Sequence, residues 1–141
     1  MAAVATQDLA EMAQDVVAAA RRFGFRRKDD QHPVDSLDDP DVAIAGAGVA
    51  FLELAGLPST KQQDRLIVGL QHHLGQSREK AEEAAILGRW LVNACEGAQA
   101  GMDRLSRRLL KLKGAQGFQP LMSVLKDVAV AGREGNLSDR Q

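Results

Sequence analysis

An all-α fold, a single bundle of about six helices, is what three features of this sequence predict. Apolar residues recur at spacings of three and four almost throughout, helix start and stop signals punctuate those runs, and no run alternates in the manner of a strand hairpin. The composition agrees. Hydrophobic residues make up 45% of the chain but aromatics only 4%, with no tyrosine and one tryptophan, so the core must be built from Ala, Leu, Val and Ile. That palette suits closely packed helices. A length of 141 residues suits one domain. Within it, residues 1–28 read as an N-terminal helix, 29–40 as an acidic loop or linker, and 41–141 as the main helical domain.

Thr6 caps a first helix in which Leu9, Met12, Val16 and Ala20 recur at helical spacing, and which runs into RRFGFRRK, weakened at Gly24. The stretch DDQHPVDSLDDPD, from Asp29 to Asp41, holds two prolines and six aspartates and has the composition of a solvated linker. It ends on Asp39 as N-cap and Pro40 at the first helical position. The helix that follows, DVAIAGAGVAFLELAG, is apolar nearly all round and lined with Ala43, Gly46, Ala47 and Ala50, so it is expected at the centre of the bundle. A further helix runs from Thr60 to Leu74 and stops at Gly75. The next starts at the Ser77 cap, carries Ala81, Ala84, Leu87 and Leu91 at helical spacing with Trp90 as a core anchor, and breaks at Gly97. In MDRLSRRLLKLK, Leu105, Leu109 and Leu112 alternate with basic residues, and PLMSVLKDVAVAG supplies the last long helix.

One signal occurs twice. Ser59 and Gln62 stand at the S-x-x-Q spacing of a capping box, and so do Ser138 and Gln141, each after a turn that carries a glycine. Two related helix-turn-helix repeats follow from this echo, with a helix start at Ser138 that either packs on the Ser59 start or has lost the terminal helix that relatives possess.

From about Asp41 to Gln141 this pattern resembles the tellurite-resistance TerB family of small all-helical bacterial proteins, whose two repeats each end an apolar helix in an A-x-D-G-x-x-S/D turn followed by an acidic helix start. In REGNLSDRQ, Glu134 stands at the Asp position, Gly135 keeps its place and Asp139 falls in the acidic start; in the first copy, Ala55 stands at the Asp position and Thr60 and Lys61 replace the acids. The resemblance implies a non-enzymatic binding module of a stress response, acting through protein partners in a membrane-associated system, with a carboxylate cluster for a divalent cation, Ca2+; the lone Cys95, with no disulfide partner, is what a reducing cytoplasm leads one to expect. A metal-free helical adaptor or homo-oligomer is the alternative.

The chemistry of such a site can be stated from the residues. Ca2+ takes six to eight oxygen ligands from a turn that tolerates positive φ. Glu134, Asn136 and Asp139 around the Gly135 bend could supply some, and Glu53 one more if the two copies pack side by side. The plainer reading is a common Gly-Asn turn pair, with Asp139 favoured by the helix dipole.

Other chemistries find no footing. Eighteen basic against nineteen acidic residues leave a net charge of -1, without the footprint of a dedicated nucleic-acid binder. Asp8, Glu11 and Asp15 rule out a signal peptide, and no apolar stretch has the length of a membrane span. Adjacent His72 and His73 point about 100° apart on a helix and cannot readily share a metal. Cys95, the sole cysteine, allows no internal disulfide and reads as a buried inert thiol on a helix. No phosphate loop, dinucleotide fingerprint or nucleophile elbow occurs, so no enzyme is expected. RRFGFRRK and MDRLSRRLLKLK are the basic stretches; the first reads as a helix end with Phe23 and Phe25 folded inward, the second as an amphipathic helix whose leucines face the core.

Overall fold

The computed structural model describes residues 14–28, 30–56 and 60–140, with backbone alone for 131–140. Asp39 opens the central element. Its Oδ1 accepts the Asp41 N–H at 2.9 Å, Pro40 occupies the first turn, and the chain enters a fifteen-residue helix. In chain order the helices are α1 (residues 14–23), α2 (Pro40–Leu54), α3 (Thr60–Leu74), α4 (Arg78–Asn93), α5 (Ala98–Lys113) and α6 (Phe118–Arg140), with short 3-10 turns at Pro33–Ser36 and Ala115–Gly117. No strand occurs among the described residues.

The position of α2 follows from its residues. Every residue from Val42 to Ala50 is buried, so no polar face is left to water and the helix lies inside a layer of α3, α4, α5 and α6. Small residues allow the neighbours to approach. A Cβ placed on Gly88 of α4 would stand 2.6 Å from the Gly46 nitrogen and 2.7 Å from its Cα. The two backbones are thus in direct contact. On α2 itself, Gly46 and Gly48 receive the ends of Leu105 from α5 and Leu66 from α3. The expectation that these glycines serve packing holds.

Around this axis, Leu87 and Leu91 of α4, Leu105 and Leu109 of α5, and Leu121, Val124 and Val128 of α6 complete the core. α3 packs chiefly on α6, and His73 Nε2 lies 2.9 Å from Asp127 Oδ2 across that seam. α1 lies along α4. Ala19 is fully buried, Arg22 pairs with Glu79 and Glu83 at 3.0 and 2.8 Å, and Gly24 ends the helix at φ +63°. Phe23 lies under Lys80 and the Phe25 ring meets Trp90 edge-on at 6.0 Å, so both phenylalanines fold inward as expected. The expected helix start at Thr6 falls outside the described residues.

Three expectations need correction. First, the acidic stretch is no solvated linker. Val34 and Leu37, three residues apart and so on one side of the 3-10 turn, are 0% and 1% exposed. Hydrogen bonds hold the segment from several sides. His32 Nδ1 accepts the Val34 N–H at 3.1 Å, which leaves Nε2 to donate to the Ala94 carbonyl at 3.1 Å; Ser36 Oγ accepts the Lys28 N–H; Arg108 Nε donates to the Leu37 carbonyl. Asp35 and Asp38 are exposed and pair with α5 through Arg104–Asp35 at 3.0 Å and Arg108–Asp38 at 3.2 Å. Second, α6 runs unbroken to Arg140, so the backbone has neither a turn at Glu134–Asn136 nor a helix start at Ser138. A glycine inside a helix costs only about 1 kcal/mol against alanine, so Gly132 and Gly135 need not break it. The second repeat does not take the expected form. Third, Cys95 lies in the turn after α4 rather than on a helix, and α5 begins at Ala98 once Gly97, at φ +103°, has reversed the chain.

The packing sets the outcome of three substitutions. Gly88→Ala gains roughly 1 kcal/mol in helix propensity but meets backbone atoms that no rotamer change can relieve, so it destabilises by about 1–3 kcal/mol net. Gly69→Ala is the control, because its Cβ would meet Val124 Cγ1 at an ordinary 3.5 Å. It should stabilise by roughly 0.5–1 kcal/mol. Urea melts of the two variants check both signs. Leu37→Ala should lower stability by about 2–5 kcal/mol as a core truncation, whereas a solvated linker would show almost no change.

Candidate binding cleft

Two amphipathic helices and their different neighbours create the site. Ser77 starts α4 by accepting the Lys80 N–H at 3.1 Å, and the residues Ala81, Ala84, Leu87 and Leu91 bury one face. The adjacent face, from Arg78 through Ile86 and Trp90 to Asn93, borders a cleft. Opposite lies α3, which turns Leu66, Gly69 and Leu70 into the core and presents Thr60, Gln63, Asp64 and Ile67 to the cleft. Because α3 leans on α6 more than on α4, the two helices stand apart, and Val49 and Leu52 of α2 form the floor between them. Asp15 and Val16 of α1 close one end.

The resulting space measures about 490 Å³, within the range of small-molecule sites. Residues 78 to 93 run alongside it, so its length is roughly 22 Å at the helical rise of ~1.5 Å per residue. The walls are apolar, with Val16, Ile67, Ile86 and the half-buried Trp90, and the charges sit on the rim. Arg78 bridges that rim, bonding Asp64 across the cleft at 2.6 Å and Glu82 on its own helix at 3.0 Å. Those bonds raise the guanidinium above its ordinary range, Asp64 first and Glu82 second. The bridge is exposed, and pairs of this kind contribute about 0–1 kcal/mol. Arg89 is exposed and makes no hydrogen bond or ion pair among the described residues.

The residues expected to hold a cation are Glu53, Glu134, Asn136 and Asp139. Glu53 is exposed at the C-terminal end of α2, and the side chains of Glu134, Asn136 and Asp139 lie outside the described residues. Their backbone belongs to α6, so the turn that was to bring them together is absent. Among the described residues no group of three or more His, Cys, Asp or Glu side chains could hold a metal ion. His73 ties α3 to α6, and His72 stands edge-on to it at 4.8 Å. Trp90 is a wall of the cleft rather than a fully buried anchor. The cleft itself had no sequence signal beyond the amphipathic pattern of α3 and α4.

Cys95 lies away from the cleft, half-buried, its thiol donating to the Leu91 carbonyl at 3.4 Å. Burial pushes the thiol up, with Arg104 opposing and Asp35 adding to the rise. A raised pKa leaves less thiolate at neutral pH, and the thiolate is the nucleophile. Iodoacetamide should therefore alkylate Cys95 more slowly than it alkylates a free cysteine peptide, and the rate should still be climbing at a pH where the peptide's has levelled off; an equal or faster rate at neutral pH would contradict the burial. No helix among the described residues is long and apolar enough to cross a membrane. Compared with protein families, curated proteins and solved structures, the chain finds no match.

Proposed function

We propose that this chain is a non-enzymatic helical binding module that receives an amphipathic helix of a protein partner in the cleft between α3 and α4. The observation that carries the reading is the cleft's form: a long apolar trough with charges of both signs along its rim, Arg78 and Arg89 beside Asp15, Asp64 and Glu82. A helix laid in a groove places apolar anchors at spacings of three, four and seven and its flanking charges against such a rim. The polar groups at the rim bond one another rather than a poised nucleophile, which favours recognition over chemistry. The resemblance to the tellurite-resistance family supports a setting in bacterial stress response, and the lone Cys95 supports the cytoplasm. A cation at Glu134 and Asp139 is a separate element of that resemblance, and the cleft does not depend on it.

Trp90 is the only tryptophan and there is no tyrosine, so the emission of the intact protein reports on the cleft wall. Titration with a Leu-rich amphipathic helical peptide of about fifteen residues, matched to the ~22 Å trough, should shift that emission to the blue. Ile86→Glu should weaken the binding at least about tenfold, since burying one such side chain contributes roughly 1.5–3 kcal/mol. An emission spectrum that the peptide leaves unchanged would contradict the proposal. A blue shift that survives Ile86→Glu would place the peptide elsewhere.

A further inference from the structure

A second hollow, of about 470 Å³, lies between α5 and the segment that leads into α2. Its α5 wall carries Arg104, Arg107, Arg108 and Lys111, which fall at spacings of three, four and seven and so form one stripe about 10 Å long. Gln31 and Asp35 face them.

Two of the four cations are committed. Arg104 Nη2 donates to Asp35 Oδ2 at 3.0 Å, while Arg108 donates through Nε to the Leu37 carbonyl at 2.6 Å and through Nη2 to Asp38 Oδ1 at 3.2 Å. These bonds fix both guanidinium groups in place, and Arg104 Nε, shut off from solvent, keeps a donor without a protein partner. The other two are in surplus. Arg107 reaches only the backbone carbonyl of Asp103, at 3.4 Å, while the Asp103 carboxylate accepts from Gln99. Lys111 is exposed and makes no hydrogen bond or ion pair among the described residues. The chain as a whole carries a net charge of -1, so this excess is local and does not reflect a basic protein.

We propose that this hollow binds phosphate esters. A surplus of two cations matches a phosphate monoester, which carries about 1.5–2 negative charges near neutral pH and offers three acceptor oxygens; a single carboxylate would leave half of the excess unmet. Arginine forks bond phosphate through two parallel N–H groups, and no carboxylate holds the guanidinium of Arg107. The exposed Arg26, Arg27 and Lys28 border the same segment, because the Lys28 N–H donates to Ser36 Oγ at 3.0 Å, and they add attraction at longer range. No aromatic side chain lines the hollow, so it offers no platform on which a nucleobase would stack. The phosphate group itself is what is recognised, whether on a soluble ester or on a lipid headgroup.

The test uses the full chain and two probes, each a phosphate monoester: isothermal titration with glycerol 3-phosphate, and co-sedimentation with phosphatidylcholine vesicles with and without phosphatidic acid. Binding of glycerol 3-phosphate assigns the hollow to soluble esters, and binding confined to the phosphatidic acid vesicles assigns it to headgroups. In either case Arg107→Glu/Lys111→Glu should lose affinity by about tenfold or more, Arg107→Gln/Lys111→Gln by less, and added salt should weaken the wild type. Both side chains are exposed, so the variants should keep the helical circular dichroism of the parent. Ile86→Glu should leave phosphate binding intact, which separates this site from the cleft. Failure of both probes to bind, affinity unchanged by the charge reversal, or binding seen only with a duplex oligonucleotide would overturn the proposal.

Discussion

The arrangement depends on the contact between the α2 and α4 backbones at Gly46 and Gly88. With side chains on both helices at that point the axes would have to separate, because a Cβ on Gly88 meets the backbone of Gly46 and not a movable side chain. The same few residues of α2 receive Leu105 from α5 at Gly46 and Leu66 from α3 at Gly48. One helix of mostly Ala, Gly and Val thus serves three neighbours at once. This is why it can be apolar all round: every side of it is a packing surface.

A thin central helix has a further consequence on the α3 side. α4 and α5 press against α2, while α3 packs chiefly on α6 and meets α2 and α4 less closely. The gap left between α3 and α4 is floored by Val49 and Leu52 and spanned by the Arg78 bridge. Because that bridge is exposed, opening it is inexpensive, whereas the floor belongs to the core and does not move without it. The cleft therefore combines a rigid apolar base with a rim that a partner's charges can rearrange. Along α5 charge is used differently. There, Arg104 and Arg108 hold the segment that leads into α2, and the neighbouring Arg107 and Lys111 are left without such work.

Local signals made much of this legible in the sequence. The Asp39–Pro40 start, the Ser77 cap, the stop at Gly75 and the central place of α2 each depend on a few adjacent residues, and each stands where those residues put it. What depended on distant partners was not legible. Val34 and Leu37 were hidden among six aspartates, since composition averages over a window while burial concerns single side chains. Gly46 read as a packing residue, but nothing marked Gly88 as its counterpart. The pair Gly135-Asn136 reads as a turn, yet the helical backbone continues through it, because turn propensity there is a preference of about 1 kcal/mol and not a break. The cleft depends on which neighbour α3 prefers, a long-range choice that no motif records.

Native-state hydrogen exchange tests the central role of α2 most directly, since it reads the opening free energy of each amide separately. If the Gly46–Gly88 crossing holds the bundle together, the amides from Ala43 to Ala50 should exchange only through global unfolding and be the slowest in the chain, with those of α1 and the N-terminal turn of α3 opening at lower free energy. Amides in the middle of α2 that exchange as fast as those of α1 would contradict the account.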